Sequence, residues 1–341
     1  MARQDDTFHV GVANFAPVYN DKAATLDKIE AGIVEAAAQG IDLLAFPEEA
    51  LVGAAACEGC RSVGGPCDAH IELAETVPGP ATERVAKLAE QHDMYVMFGL
   101  AEQDRLDPRR LYNAVAVIGP DGIQGTYRKI HLGSPPWVTE GITFTPGDAL
   151  PVWHTRWGPV GVLICYDFWL NPELSRILAL KGAQLIVNCS ASFAGPGKRE
   201  YFVHTTEVRA LENQIYTASS NFVGGSADAS NYGAGALDKP RAAHWGGSST
   251  IAGPAFPRFN HVYASATIEH EEIVSALLSR QKLERWQAVY PWQRWRQGHQ
   301  LAASQLIARE FDELAQSAAG SPAASSSRKR RAGTAWDSTS R

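Results

Sequence analysis

Apolar and polar positions change period several times along the first 120 residues of the chain. Phe8 to Phe15 (FHVGVANF) alternates unevenly and predicts a strand. Asp21 to Gln39 has Ala-rich helical spacing and stops at Gly40, a residue suited to a helix C-terminus. Ile41 to Phe46 is a short apolar run broken by Pro47, which predicts a buried strand. A strand–helix–strand opening predicts α/β architecture. A Gly/Ala/Cys-rich loop is expected over Gly53 to Ala69, a helix over Pro80 to His92, and strands near Met94–Ala101 and Asn113–Ile118. Asp121-Gly122 between two apolar runs is a hairpin signal. Further strands are expected at Val160–Ile164, Gln184–Asn188, Ile215–Ser219, Ser249–Ala252 and Val262–Thr267. Helices are expected at Asn171–Lys181, Glu200–Asn213 and Glu271–Trp286, and a loop over Gly224–Gly247. No internal repeat is visible.

This pattern reads as one domain over residues 1–317, with a core of about 8–290 and a C-terminal arm over 291–317. From residue 318 to 341 the composition collapses to Ser, Ala, Gly and Arg, so a disordered tail is expected. The 45% apolar content suffices for a large core, and the net charge of −6 argues against a nucleic-acid partner. The basic run Arg328 to Arg331 falls in that tail and reads as solvated. No apolar run reaches the roughly 18 residues of a membrane span, and Met1 to Thr7 lacks a secretory apolar region. Five cysteines, an odd number, do not form a disulfide framework and suggest reduced thiols in the cytoplasm.

Three chemically capable residues fall where strands are expected to end. Glu48 follows Phe46-Pro47, Lys129 lies in Tyr127-Arg128-Lys129-Ile130-His131-Leu132, and Cys165 follows the run Val160 to Ile164. Active groups of α/β folds gather at the carboxyl ends of strands. Taken singly, the Cys reads as a small core residue and the Glu and Lys as solvated. Together they supply what thiol chemistry requires: a base or cation that favours the thiolate, and a positive donor where an oxyanion develops.

Phe46-Pro47-Glu48, Tyr127 to Leu132 and Ile164-Cys165-Tyr166-Asp167 resemble, in order and spacing, the three signatures of the nitrilase superfamily. Phe144-Thr145-Pro146-Gly147-Asp148 and Arg209-Ala210-Leu211-Glu212-Asn213 extend the resemblance, which covers roughly Val10 to Thr267. It implies an αββα sandwich that pairs into a four-layer-forming homodimer or a higher homo-oligomer. It also implies metal-free hydrolysis of a non-peptide C–N bond, with no cofactor. Glu48 then corresponds to the general base, Lys129 to the oxyanion donor and Cys165 to the nucleophile. Glu140, six residues before Pro146, corresponds to a second structural or proton-relaying glutamate. Glu49, His131 and Asn113 are read as structural neighbours.

Nitrilases proper usually carry Trp-Glu after the nucleophile and Pro-Thr after the lysine motif. Here Tyr166-Asp167 and His131-Leu132 occupy those places, which favours an amide or ureide substrate. Carbamoylases of the superfamily place two arginines shortly after the cysteine; this chain has Phe168 and Trp169, so a carboxylate clamp is missing. A small neutral, aromatic or hydrophobic substrate is expected, contacted by Tyr166, Phe168, Trp169, Trp137 and Phe193, with Trp245 extending the wall. Core packing is the competing role for these aromatics, and Trp286, Tyr290, Trp292 and Trp295 pose the same choice between core and subunit contact. Nitrile hydrolysis by the same trio, a catalytically silent binding homologue, and a glycosidase using Glu48 and Glu140 are the alternatives; the last leaves Cys165 and Lys129 unused. Cys57-x₂-Cys60-x₆-Cys67-x₂-His70 has a spacing that could wrap tetrahedral zinc. Because the resemblance needs no metal, loop thiols are the preferred reading of that cluster.

Overall fold

A run buried on both faces from Val10 to Phe15 marks β1 (Thr7–Phe15) as a central strand of a mixed sheet. The computed structural model describes residues 6–19, 21–53, 57–133, 139–225, 244–255, 257–291, 302–314 and 316. Asp21 caps α1 (Lys22–Ala38) by accepting the Ala24 amide at 2.9 Å, which satisfies one of the orphan N–H groups of the first turn. β2 (Leu43–Ala45) runs parallel to β1. The stretch expected as loop contains the short helix α2 (Glu58–Val63) and the start of a second, α3 (Asp68–Leu73), each with a cysteine at its N-cap position. α4 (Pro80–Gln91) carries proline in its first turn, where no amide is needed. β3 (Tyr95–Gln103), β4 (Leu111–Gly119) and β5 (Gly122–Arg128) follow, with the expected turn at Asp121-Gly122 joining the last two.

α5 (Glu140–Thr143), β6 (Val152–His154), β7 (Pro159–Ile164), α6 (Tyr166–Trp169) and α7 (Pro172–Leu180) lead into the second half. There β8 (Leu185–Ser190), α8 (Lys198–Asn213), β9 (Tyr216–Gly225), β10 (His244–Gly246), β11 (Thr250–Ala255), β12 (Arg258–Ser265), β13 (Glu272–Ser279) and α9 (Arg280–Val289) complete the unit Met1–Tyr290. In the separate unit Pro291–Arg341, residues 302–314 are helical. The expected disordered tail, Trp292 and Trp295 lie outside the described residues. None of the described helices is long and apolar enough to cross a membrane.

Strands are ordered β5-β4-β3-β2-β1-β9-β8-β7-β6, with β13 added antiparallel to β1. Alternation sorts side chains into two layers. Leu44, Val96, Phe98, Ala114, Ala116 and Ile118 point toward Ile29 and Ile33 of α1 and Val85 and Ala89 of α4. Val10, Val12, Leu43, Met97, Val115 and Val117 point the other way, into a core shared with Val160, Val162, Leu185 and Val187. β4 and β5 approach β7 across that core, while Leu178 of α7 and Phe202 of α8 pack on it. Each fully buried Val, Leu, Ile or Phe contributes roughly 1.5–3 kcal/mol. The result is the expected αββα sandwich.

Two stretches differ from expectation, the first with a clear cause. Glu272 to Ser279, expected to begin a helix, instead pairs along β1 from Asn14–Glu272 to Thr7–Ser279. The run includes β-branched Ile273 and Val274, and an uncovered flank of β1 rewards pairing over local helical spacing. Helix begins only at α9, where Ser279 accepts the Lys282 amide at 3.2 Å. His244 to Gly246, expected within a loop, pairs with Gly225 to Val223 as β10.

Candidate active site

β2 and β7 lie parallel within the sheet order, and β5 shares their direction through the two antiparallel steps from β3 to β4 to β5. The residues just past all three therefore emerge at one end of the sandwich. Glu48 sits on a tight turn after β2, with the next residue, Glu49, at φ +47°. Gly99 makes room for that turn: a Cβ there would stand 2.2 Å from the Glu49 amide nitrogen and 2.5 Å from the Pro47 oxygen. Lys129 follows β5, its backbone held by the Asn113 carbonyl and the Gly147 amide, each at 2.8 Å. Gly147, in the Phe144-to-Asp148 motif, lies so close to Arg128 that a Cβ would meet its carbonyl oxygen at 2.2 Å. Cys165 lies at the junction of β7 and α6 with φ +46°, a left-handed value that costs a non-glycine residue and is held by surrounding bonds. Its amide donates to the Cys189 carbonyl and to Asn188 Oδ1, both at 3.1 Å.

Lys129 Nζ lies 2.6 Å from Glu48 Oε1 and 2.6 Å from Glu140 Oε1. Asn113 Nδ2 bridges the same two oxygens at 2.8 and 2.7 Å. The second oxygen of Glu48 accepts the Ala191 amide at 2.9 Å, and that of Glu140 accepts the Gly133 amide at 2.6 Å. Two carboxylates are thus held on either side of one ammonium, all three buried or nearly so. Burial pulls the Lys129 ammonium down, but the charges of Glu48 and Glu140 outweigh it and hold the group well above the usual lysine range. Glu48 is raised, first by burial and then by Glu140, against the opposing pull of Lys129. Burial, then the Glu48 charge, pushes the Cys165 thiol up to about 12, although Lys129 works in the opposite direction. The resting pocket therefore holds a thiol rather than a free thiolate. Glu49 is held well above the carboxylate range by burial and by Glu48 and Glu140, which favours its neutral form.

The sequence motifs hold two further devices whose roles their residue types do not announce. Asp167, without exposed surface, accepts Tyr127 Oη at 2.6 Å and the Ile130 amide at 3.0 Å on one oxygen. Its other oxygen lies 2.8 Å from both the His131 amide nitrogen and His131 Nδ1. The residue two places after the cysteine thereby locks the segment just after Lys129. Its sequence signal was its place in the Ile164-to-Asp167 motif, which names the residue but not this role. Arg209 donates to the Phe168 and Trp169 carbonyls at 2.9 and 3.1 Å, holding the short helix that follows Cys165.

The aromatic residues separate. The Tyr166 ring lies under the Lys129 ammonium, 5.4 Å from ring centroid to Nζ. Phe168 has no exposed surface and packs in the core, edge-on to Trp169 at 4.9 Å. Trp169 donates its indole N–H to Ser190 Oγ at 3.0 Å, beside the nucleophile's turn. Phe193 is 40% exposed and stacks on Trp245 at 4.7 Å. Trp137 lies outside the described residues. Trp286 is buried against Phe259, and Tyr290 is exposed.

Known proteins share this architecture. A nitrilase of Pyrococcus abyssi is 39% identical over 155 residues, 45% of this chain and 54% of that protein. An (R)-stereoselective amidase of a Pseudomonas species is 35% identical over 198 residues, 58% of this chain and 64% of that protein. The matches thus span about half and under two thirds of these relatives. The crystal structure of Saccharomyces cerevisiae Nit3, a member of branch 10 of the nitrilase superfamily, superposes with a TM-score of 0.67 at 22% identity, covering 84% of this chain and 96% of that one. The model of the carbon-nitrogen hydrolase family matches residues 9–288, a span that takes in the three strand ends and both carboxylates around Lys129. With motifs, sandwich and family model in agreement, this chain belongs to the carbon-nitrogen hydrolase family.

Proposed function

We propose that the protein hydrolyses the C–N bond of a small neutral linear amide or N-carbamoyl compound through a thioester on Cys165. The observation that carries this reading is the Lys129 ammonium shared at 2.6 Å by Glu48 and Glu140 at the strand end beside the strained Cys165 turn. As Cys165 Sγ attacks the carbonyl carbon, its proton passes to Glu48 and the C=O electrons move to oxygen. Lys129 and the Tyr166 amide, the first N–H of α6 and so without an intrahelical acceptor, stabilise that oxyanion. The tetrahedral species collapses, the C–N bond breaks, and the leaving nitrogen takes the proton from Glu48. Water then adds to the acyl-thioester, giving a proton to the same carboxylate, and the C–S bond breaks as sulfur recovers a proton. Net charge in the buried pocket is unchanged when the proton moves between Cys165 and Glu48, which offsets the thiol's raised affinity for it.

Glu140 touches Lys129 and Asn113, so its role is to hold the ammonium and share its charge. Neutral substrates are favoured because the charged groups felt by Cys165 are Glu48, Lys129 and Glu140, all engaged with one another, and because Arg209 is spent on backbone carbonyls. Tyr166, Trp169, Phe193 and Trp245 form the substrate wall. None of the described cysteines is paired in a disulfide, in keeping with a cytoplasmic enzyme. A homodimer or larger homo-oligomer is supported by the exposed apolar side chains Tyr201, Val208 and Leu211 on α8. A panel of aliphatic and aromatic amides, N-carbamoyl compounds and nitriles, assayed for ammonia, tests the activity. Release from neutral amides or ureides is expected; turnover of nitriles alone, or of none, would overturn the reading.

A further inference from the structure

The stretch between Glu48 and α4 contains chemistry that thioester hydrolysis does not use. Cys57 is the N-cap residue of α2 and Cys60 lies three residues on; Cys67 is the N-cap residue of α3 and His70 lies three residues on. Each short helix therefore presents a ligand pair three residues apart, on one face of one turn. The three Sγ atoms and a His70 ring nitrogen all lie within 4.8 Å of one another. Cys57 and Cys67 sulfurs are 3.7 Å apart, and His70 Nδ1 lies 3.3 Å from Cys60 Sγ and 3.7 Å from Cys67 Sγ.

Three of these separations lie close to the edges of a zinc tetrahedron, and the others reach no further than 4.8 Å. With Zn–S of about 2.3 Å and Zn–N of about 2.05 Å, ideal angles put sulfurs about 3.8 Å apart and sulfur to nitrogen about 3.6 Å apart. A disulfide between Cys57 and Cys67 would need their sulfurs to close to about 2.05 Å and would leave Cys60 and His70 outside it. The surroundings suit anionic sulfur. The Cys60 amide donates to Cys57 Sγ at 3.4 Å and the Cys67 amide to Cys60 Sγ at 3.3 Å, as partners around a metal's ligands do. Gly59 leaves the space: a Cβ there would lie 3.2 Å from Cys67 Sγ. Gly64 at φ +67° ends α2 in the left-handed conformation that turns the chain back toward α3. Phe144 packs edge-on to the His70 ring at 6.3 Å and fixes its plane.

We propose that Cys57, Cys60, Cys67 and His70 bind one structural Zn²⁺ through three thiolates and Nδ1. Four protein ligands close the coordination shell, and Cys57, Cys60 and His70 are buried, so the ion has no position for substrate. Its place in the molecule gives it a purpose. The Cys57 amide donates to Thr139 Oγ1 at 2.9 Å, and Thr139 is the N-cap of α5, whose first residue is Glu140. A metal clip here would tie two helices, each too short to persist alone, to the segment that carries the second carboxylate. This geometry reverses the preference for loop thiols drawn from the family's lack of a metal.

The full-length protein, purified without chelator and without an affinity resin that carries metal, is to be analysed by plasma mass spectrometry. About one zinc per chain is expected, retained in Cys165→Ala and lost in Cys57→Ser and His70→Ala. His70→Cys, which restores a four-ligand set, should keep it. Replacement of zinc by Co²⁺ should give the visible absorption of a tetrahedral thiolate site in the wild-type protein, a readout that does not depend on any variant folding. The proposal is overturned if the wild-type protein neither holds zinc after incubation with zinc sulfate nor gives that cobalt spectrum. Retention of zinc in both Cys57→Ser and His70→Ala, or a Cys57–Cys67 disulfide in peptide mapping, would overturn it equally.

Discussion

Asp167→Asn removes one charge and alters little else in shape, yet the structure gives it a large effect. The carboxylate accepts from Tyr127 Oη and the Ile130 amide on one oxygen and faces the His131 amide and ring on the other. An amide keeps one acceptor oxygen and turns two donors toward the remaining pair. Tyr127 or the His131 ring can turn and accept, but a backbone N–H, from Ile130 or His131, is left facing an NH₂ group in either orientation. Orphaning that amide costs about 1–3 kcal/mol, and turning the surviving charge-assisted bonds into neutral ones costs about 1 kcal/mol each. The total is about 3–5 kcal/mol, or on the order of 10 °C in Tm for a domain of this size. Displacement of Ile130 also moves Lys129, whose ammonium must meet the oxyanion, so kcat should fall about 100-fold. Urea denaturation and steady-state ammonia release check both figures. A variant within about 1 kcal/mol of wild type and within about threefold in kcat would refute the positioning role of Asp167.

Other outcomes follow from the same geometry. Gly99→Ala should cost about 1–3 kcal/mol in chemical denaturation and lower kcat, because its Cβ collides with the backbone of the Glu48 turn; unchanged values would show that the turn can yield. Glu140→Gln should leave Lys129 with a single carboxylate and reduce kcat more than it changes KM, as measured on the best amide of the panel. Alkaline pH should destabilise the fold partly through Cys165. The buried thiol keeps its proton up to about 12 while the unfolded thiol loses it near 9, so the unfolded state binds fewer protons in that window and stability falls as pH rises. The contribution is fully present below about pH 9 and is worth at most a few kcal/mol. Cys165→Ala should flatten the dependence of unfolding free energy on pH between about 9 and 12, and an unaltered slope would contradict the raised pKa.

Strand alternation and the helix end at Gly40 made most of the sandwich legible, because a half-buried strand or helix writes its period into the chain. β13 was not legible, since Glu272 to Ser279 owes its conformation to the flank of β1, more than 250 residues away in sequence. Glu48 and Cys165 could be found because each follows an apolar run, and Lys129 because it sits in the Tyr127-to-Leu132 motif. Their electrostatic partners were harder to see. Asn113 lies inside the buried strand β4, the Ala191 and Gly133 contributions come from backbone amides, and Gly99 acts by having no side chain. The spacing of Cys57, Cys60, Cys67 and His70 was visible, but whether they converge depended on two helices that the glycine-rich composition concealed.

The covalent intermediate offers the most direct test of the account. The enzyme, mixed with its best amide and quenched in acid during steady-state turnover, is to be digested and the Cys165 peptide weighed. The mechanism predicts that this peptide gains the mass of the acyl group, and that the gain disappears in Cys165→Ala together with ammonia release. Undiminished hydrolysis by Cys165→Ala, with no acyl mass on the wild-type peptide, would contradict it.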